Sequence, residues 1–307
     1  MEILNRDTIC CLIITYNPDE NLLELINIIV NQVNKIIIVD NNSSSEGFKD
    51  LLNFAKVNDV ILIENKENLG IAKALNQGIL CARKMNYNWI LMFDQDSKPF
   101  SNTVEIISNV YSLYPEKQKI GAIGVNFLKS NSESYFKIAG NQLYSERDYL
   151  ITSGCLLSIK TFIEVGGFRE DFFIDNVDLE YSLRLRKNGK ICLITKKYGM
   201  IHKAGTPKIV KIIGLTLISS NHNSIRRYYK ARNHIILSKE YWFKYPYFIA
   251  KANCFFILSL IQILLIDDNK KVKITASIKG IKDGILYSSK CKKLIYIFCW
   301  ILVNCCL

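Results

Sequence analysis

Asp94 and Asp96 stand one residue apart in the stretch Asn88–Ser97, NWILMFDQDS. Two carboxylates at that spacing, on a loop, can converge on one hard cation, and Mg²⁺ or Mn²⁺ held this way is often shared with substrate phosphates. The pair alone is weak evidence: an Asp-x-Asp is expected by chance in 307 residues, and a solvated turn explains it as well. A second group of acids, Asp175, Asp178 and Glu180, opens the run Phe172–Arg186, FFIDNVDLEYSLRLR, with Arg184 and Arg186 near its end. Acids first and bases last suit a helix dipole. Acids this dense at a helix start can also face a pocket, where a carboxylate could take a proton from a hydroxyl. If the helix begins at Asp175, Asp178 lies one turn further on. His202 follows an apolar run and is a candidate third ligand, the alternative being a structural histidine.

These residues need elements to position them. Trp89–Phe93 reads as a strand buried on both faces, which puts Asp94 and Asp96 at its carboxyl end, where open α/β sheets bind ligands. Similar runs occur at Thr8–Ile14, Lys35–Val39 and Val60–Ile63, with helical periodicity between them over Asp19–Val33, Phe48–Val57 and Ile71–Met85. This alternation predicts a parallel, doubly wound α/β sheet with right-handed crossovers. Polar residues follow every strand (Thr15/Asn17, Asp40/Asn41, Asn65/Asn68, Asp94/Asp96), and parallel strands bring those loops to one edge. Core packing does not require that pattern. It suggests a nucleotide site, with Asp40 meeting a base or ribose and the metal carboxylates meeting a diphosphate. The turn after the first strand is TYNP rather than GxGxxG, and no GxxxxGK[ST] occurs, so Gly-rich phosphate cradles are excluded.

Further on, Thr103–Tyr114 reads as a helix and Ile120–Val125 as a strand, and Tyr135–Tyr149 as short strands and turns. Leu150–Ser158, LITSGCLLS, sets Gly154 beside Ser153 among small residues, where backbone can approach a substrate closely. Thr161–Val165 is a short helix, the acidic run a longer one from Asp175, and Ile191–Thr195 and Tyr198–Ile201 two short strands.

Ten scattered cysteines without CxxC or Cys/His spacing suit buried, reduced thiols in a cytosolic protein, with Cys81, Cys155, Cys192 and Cys254 inside apolar runs. The start, MEILNRDT, has no basic segment leading into an apolar one, so no secretory signal is expected.

Taken together the motifs resemble glycosyltransferase family 2, in particular its bacterial rhamnosyltransferase branch. The resemblance rests on TYNP, VDNNS (Val39–Ser43), ENLGIAKALNQG (Glu67–Gly78), FDQDS (Phe93–Ser97), SGCLLS (Ser153–Ser158), the run Val165–Gly189 and His202, colinear over about residues 8–240. It implies a GT-A fold with a mainly helical C-terminal extension, and a nucleotide-diphosphate sugar as donor. The implied domains are a catalytic one at 1–210, with its nucleotide part at 1–100 and acceptor part at 101–210, and a helical region at 211–307.

By the same resemblance Thr15, Asn17 and Asp40 contact the nucleotide beside Tyr16 and Asn41, and Asn68 and Gly70 line ribose or diphosphate near Lys73. Asp94 and Asp96 flank Gln95 and hold Mg²⁺ or Mn²⁺ with His202 assisting; Asp96 is the more direct ligand. Asp178 falls at the place of the catalytic base, with Glu180, Arg184, Ser153 and Gly154 on the acceptor or supporting side. Val177 replaces the first acid of the family's Glu-Asp pair, so no preceding glutamate assists. The implied reaction is inverting, with one sugar per acceptor since QxxRW is absent, and dTDP-L-rhamnose is the implied donor. A UDP-hexose donor and a non-catalytic nucleotide-sugar-binding scaffold are the alternatives. A nucleotidyltransferase would want a glycine-rich, basic first loop, which Thr15–Glu20 is not.

The net charge of +12 is uneven: residues 201–307 carry 18 Lys/Arg against 4 Asp/Glu. Arg226–Asn233, RRYYKARN, opens a helix with Arg226, Lys230 and His234 along one face, and no nucleic-acid motif accompanies it. Tyr247–Ile266 is apolar and long enough to span a bilayer, but Lys251, Asn253 and Gln262 interrupt it and favour an interfacial or packed helix over a true span; Leu294–Leu307 is too short to span. The expected partners are an anionic membrane surface, which fits an oligosaccharide acceptor on a lipid carrier, or packing within the protein or between copies of it. The expected location is cytoplasmic, peripheral at the inner face of the cell membrane.

Overall fold

The computed structural model describes residues 4–57, 59–129, 142–202, 208–212 and 215–287. The chain divides into two compact units, Met1–Phe173 with Val177–Lys203, and Ile174–Asn176 with Ala204–Leu307.

In the first unit β1 (Ile9–Thr15), β2 (Lys35–Asp40), β3 (Val60–Glu64) and β4 (Trp89–Asp94) pair in parallel, in the order β3-β2-β1-β4. Unbroken apolar runs form these strands, as expected of a parallel sheet covered on both faces, with β3 at the edge only partly buried. All seven residues of β1 are buried. α1 (Asn21–Ile29), α2 (Glu46–Val57) and α3 (Ile71–Lys84) make the crossovers. α1 stops short of the expected Val33: Leu22, Leu25, Ile26 and Ile29 pack inward, whereas Val30 is exposed.

The four strands expected to be parallel are so, and beyond β4 the sheet becomes mixed. β5 (Ser97–Pro99), α4 (Thr103–Leu113), β6 (Ile120–Leu128), β7 (Tyr144–Arg147), β8 (Cys155–Ser158), α5 (Ile159–Val165), α6 (Val177–Lys187) and β9 (Ile191–His202) follow. β8 lies antiparallel between β4 and β6, β9 runs parallel to β6, and β5 and β7 pair antiparallel with β9. The nine-stranded sheet therefore continues β4-β8-β6-β9-β5. The two short strands expected over 191–201 are one strand, because Thr195–Lys197 are absorbed in a register shift opposite Gly124–Asn126. Residues 130–141 of the expected irregular segment lie outside the described residues. The helix expected from Asp175 begins at Val177, because Asp175 and Asn176 are left-handed, with φ of 64° and 61°.

Among its described residues the second unit contains an antiparallel pair, β10 (Lys208–Ile212) and β11 (Leu215–Ser219), which the expectation of a helical region did not include, and then three helices. α7 (Ser224–Tyr241) is capped by Asn223, whose Oδ1 accepts the Arg226 N–H at 2.9 Å. α9 (Lys270–Leu286) packs along α7 at close range, since a Cβ at Gly280 would stand 2.3 Å from the Tyr228 carbonyl oxygen. The buried Lys239 ammonium donates to the carbonyls of Gly284, Ile285 and Tyr287 and so closes the end of α9. His234 is buried, bonded to Asn253 and stacked on Phe256 rather than offered on a basic face; its burial pulls its pKa down to about 4.

α8 (Pro246–Leu265), between them, is different. It is 20 residues long, and an 18-residue stretch of it has a mean hydropathy of 2.0 with only 22% buried; Tyr247, Phe255, Leu258 and Leu264 are exposed. Among the described residues it is the one helix long and apolar enough to cross a membrane. Leu294–Leu307 lies outside the described residues. Cys10, Cys11, Cys155 and Cys192 are buried free thiols, but Cys81 is half-buried and Cys254 lies exposed on α8.

Candidate active site

Because β1, β2 and β4 are parallel, their last residues Thr15, Asp40 and Asp94 reach the same sheet edge. Asp40, 1% exposed, does not offer a free carboxylate there: it accepts from the Thr15 hydroxyl at 2.7 Å and from the Ser43 N–H at 2.8 Å. These bonds brace the loop after β2. Asn17, at φ 50°, closes the same loop, its N–H on Ser43 Oγ at 2.7 Å and its Oδ1 on the Ser44 N–H at 2.9 Å. Buried Asn41 bonds the Gly70 carbonyl and the Asn65 amide. Asn68 accepts the Gly70 N–H at 3.0 Å. Gly70 needs to be glycine twice over: its φ is +82°, and a Cβ would lie 2.6 Å from the Phe173 carbonyl oxygen. Lys73 is half-buried on the first turn of α3. Tyr16 is 50% exposed, and its peptide is gripped from both sides by the Gln95 amide, at 2.7 and 3.2 Å.

Asp94, Asp96 and His202 come together, with one ligand atom from each lying within 4.8 Å of the others. The chain turns sharply after β4 into β5, whose Ser97 pairs with His202 at the end of β9. That pairing delivers a histidine 105 residues along the chain from Ser97. A chain of hydroxyls fixes the imidazole: His202 Nδ1 lies 3.2 Å from Ser97 Oγ, which lies 2.5 Å from Ser153 Oγ, and Ser153 also accepts the Asp94 N–H at 3.3 Å. With Nδ1 engaged, Nε2 is left for a cation. Two carboxylates and one imidazole are a donor set that suits Mg²⁺ or Mn²⁺ completed by phosphate and water, and the spacing fits. Gly154, at φ 71°, donates its N–H to the Met92 carbonyl at 2.8 Å and keeps Ser153 against β4.

Asp178 sits half-buried on the first turn of α6, its Oδ1 accepting the Leu179 N–H at 2.8 Å. It lines a cavity of about 20 Å³, room for one water, with Met92, Thr152, Cys155, Tyr181 and Ser182. Met92 stands two residues before Asp94 and Thr152 adjoins Ser153, so the cavity and the metal-ligand cluster share β4 and one loop. Burial pushes the Tyr181 phenol and the Cys155 thiol up, and nearby Asp178 adds to the latter. Both stay protonated at neutral pH.

A family profile described as "Glycosyl transferase family 2" matches residues 10–169. The dTDP-rhamnosyl transferase RfbF of Shigella flexneri is 31% identical over 250 residues, covering 76% of this chain and 81% of that protein. This chain belongs to glycosyl transferase family 2. It is a glycosyltransferase, and its fold is shared with solved relatives far apart in sequence. GalNAc-T7, crystallised with UDP, GalNAc and Mn²⁺, superposes with a TM-score of 0.60 at 13% identity over 95% of this chain and 57% of its own. S. aureus TarS superposes at 0.55 and 11% identity over 92% of this chain, which spans only 44% of TarS.

In this glycosyltransferase Glu180 and Arg184 act on the protein itself. Glu180, 2% exposed, takes two bonds from Arg184, at 3.1 and 2.8 Å, and Arg184 also donates to the Val165 and Gly166 carbonyls. The pair ties α6 to the end of α5 and so steadies the helix carrying Asp178. Ser43 and Ser97 were not singled out from the sequence, although both lie inside quoted motifs. A serine is too common near turns to signal a role before its hydroxyl is seen bonded.

Proposed function

We propose that this glycosyltransferase moves one L-rhamnose from dTDP-L-rhamnose to a saccharide hydroxyl with inversion at the anomeric carbon. One observation carries the reading: Asp94, Asp96 and His202 stand within reach of a single cation, and Asp178 lines a cavity with Met92 of β4, the strand that ends in Asp94, and with Thr152, the neighbour of Ser153. The cluster would hold Mg²⁺ or Mn²⁺, which when bound offsets the charge of the departing nucleoside diphosphate. Tyr16, Asn17 and the Gly70–Lys73 turn line the edge where the nucleotide would lie. Asp178 takes the proton of the acceptor hydroxyl while that oxygen forms its bond to the anomeric carbon. The bond from that carbon to the diphosphate oxygen breaks, and dTDP leaves from the opposite face. The rhamnose assignment leans on the Shigella relative. A UDP-hexose is the second reading, favoured by the TarS structures with UDP and UDP-GlcNAc.

A thermal-shift panel of nucleotide sugars with Mn²⁺ or Mg²⁺ separates the two. At a ligand concentration of 100 times Kd the stabilisation is about 2.7 kcal/mol. dTDP-L-rhamnose is expected to raise Tm most, and a larger shift with UDP-GlcNAc would replace the first reading by the second.

The acceptor in this reading is carried on a lipid at the inner face of the membrane, as in surface-polysaccharide synthesis. The exposed apolar side of α8 and the excess of 14 positive charges over residues 201–307 support it. Vesicles of phosphatidylglycerol and phosphatidylethanolamine are expected to float the protein at low salt and release it at high salt. Protein that stays at the bottom of the gradient and sediments as a dimer would point instead to contact between copies.

A further inference from the structure

The turn that leads into α6 is backbone-strained. Phe173, Asp175 and Asn176 have φ of 42°, 64° and 61°, and none is glycine. Three left-handed residues within four persist only where surroundings hold them, and such strain gathers at functional sites. The catalytic carboxylate of Asp178 follows two residues later. The ties on this turn come largely from α7. Asn233, with no exposed surface, donates its amide to the carbonyls of both Ile174 and Asp175 at 3.0 Å. The Arg232 guanidinium donates to Asn233 Oδ1 at 3.0 Å, which sets the amide so that its NH₂ faces those carbonyls. Arg226 grips both Asp175 carboxylate oxygens, each at 3.1 Å. The Phe173 carbonyl receives the Ile71 N–H at 2.7 Å.

An ordinary helix start would need none of this. Asn is a poor choice inside a helix, and burying its amide is tolerable only with every bond made. RRYYKARN therefore reads as a device for a particular backbone conformation elsewhere in the chain.

We propose that Arg226, Asn233 and Asp175 are positioning residues for Asp178: α7 holds the left-handed turn that aims the base. This rests on the reading of Asp178 as base. Turnover is measured as nucleoside diphosphate release from the best donor of the panel, with donor affinity by calorimetry and folding by thermal melt. A misplacement of about 1 Å costs roughly 10²-fold in rate, so Arg226→Met and Asp175→Asn are each expected to lower kcat by about that factor with donor Kd within about twofold. The double variant is expected to be no worse than the poorer single one, since the two side chains make one grip. Asn176→Gly, which fits the same φ, is expected to keep kcat, and Asn176→Val to lose about tenfold or more. The deciding test is Arg226→Met in an Asp178→Asn background, where no further loss is expected because the effect runs through the base. Arg226→Met and Asn176→Val with wild-type kcat would overturn the proposal, as would an undiminished effect of Arg226→Met on the residual activity of Asp178→Asn. Wild-type turnover in Asp178→Asn alone would instead remove the base assignment itself.

Discussion

Asp178→Asn is expected to lower turnover by about 10³-fold and to leave donor affinity almost unchanged. The substitution keeps the shape of the side chain and its Oδ1, so the bond from the Leu179 N–H at 2.8 Å survives and α6 still starts where it does. Only the capacity to take a proton is removed. The loss therefore belongs to the step in which the acceptor oxygen is deprotonated, and it falls on kcat rather than on donor KM. Asp178→Ala confounds that reading, because it also deletes the acceptor at a helix start. Two groups of the same cavity offer no substitute: the Tyr181 phenol and Cys155 thiol are held protonated by burial. Turnover at the wild-type level in the Asn variant would show that some other group takes the proton.

Asp96→Ala is expected to weaken nucleotide binding in the presence of Mn²⁺ by about 100-fold, or about 2.7 kcal/mol, and to abolish the response to the metal. Asp96 lies in the turn between β4 and β5, outside the ladders, so the melt should stay near wild type. EDTA on the wild-type protein should reproduce the affinity of the variant, and EDTA on the variant should change nothing further. Calorimetry of nucleotide with and without Mn²⁺ measures all four corners of that comparison. Equal metal dependence in both proteins would place the cation elsewhere. The two variants fail differently, one in chemistry and one in binding, and that split separates the acid at the start of α6 from the acids after β4.

How much of this was legible beforehand depended on whether the signal was local. β1 to β4 could be read because a sheet covered on both faces leaves unbroken apolar runs, and their shared direction puts Thr15, Asp40 and Asp94 on one edge. The Asp94/Asp96 pair was equally plain, being a matter of spacing along the chain. β8 was not: four residues, CLLS, carry no mark of direction, and only the gap between β4 and β6 makes them antiparallel. Two lysines in β9 resembled a turn because a bulge in a strand and a break between strands have the same polarity. Nothing along the chain announces that Asp40 is bonded by the Thr15 hydroxyl and by the Ser43 N–H and hydroxyl.

By itself the order of residues determined the family, the parallel half of the sheet and which acids face the carboxyl edge, because burial patterns and loop chemistry act over a few residues. Tertiary structure decided the rest. His202 joins the acids through the pairing of β5 with β9. The turn before α6 departs from the helix its composition favours, because its left-handed dihedrals are held in large part by Arg226 and Asn233, more than 50 residues away in sequence. Local preferences are weak, and the hydrogen bonds that override them exist only after distant segments have met.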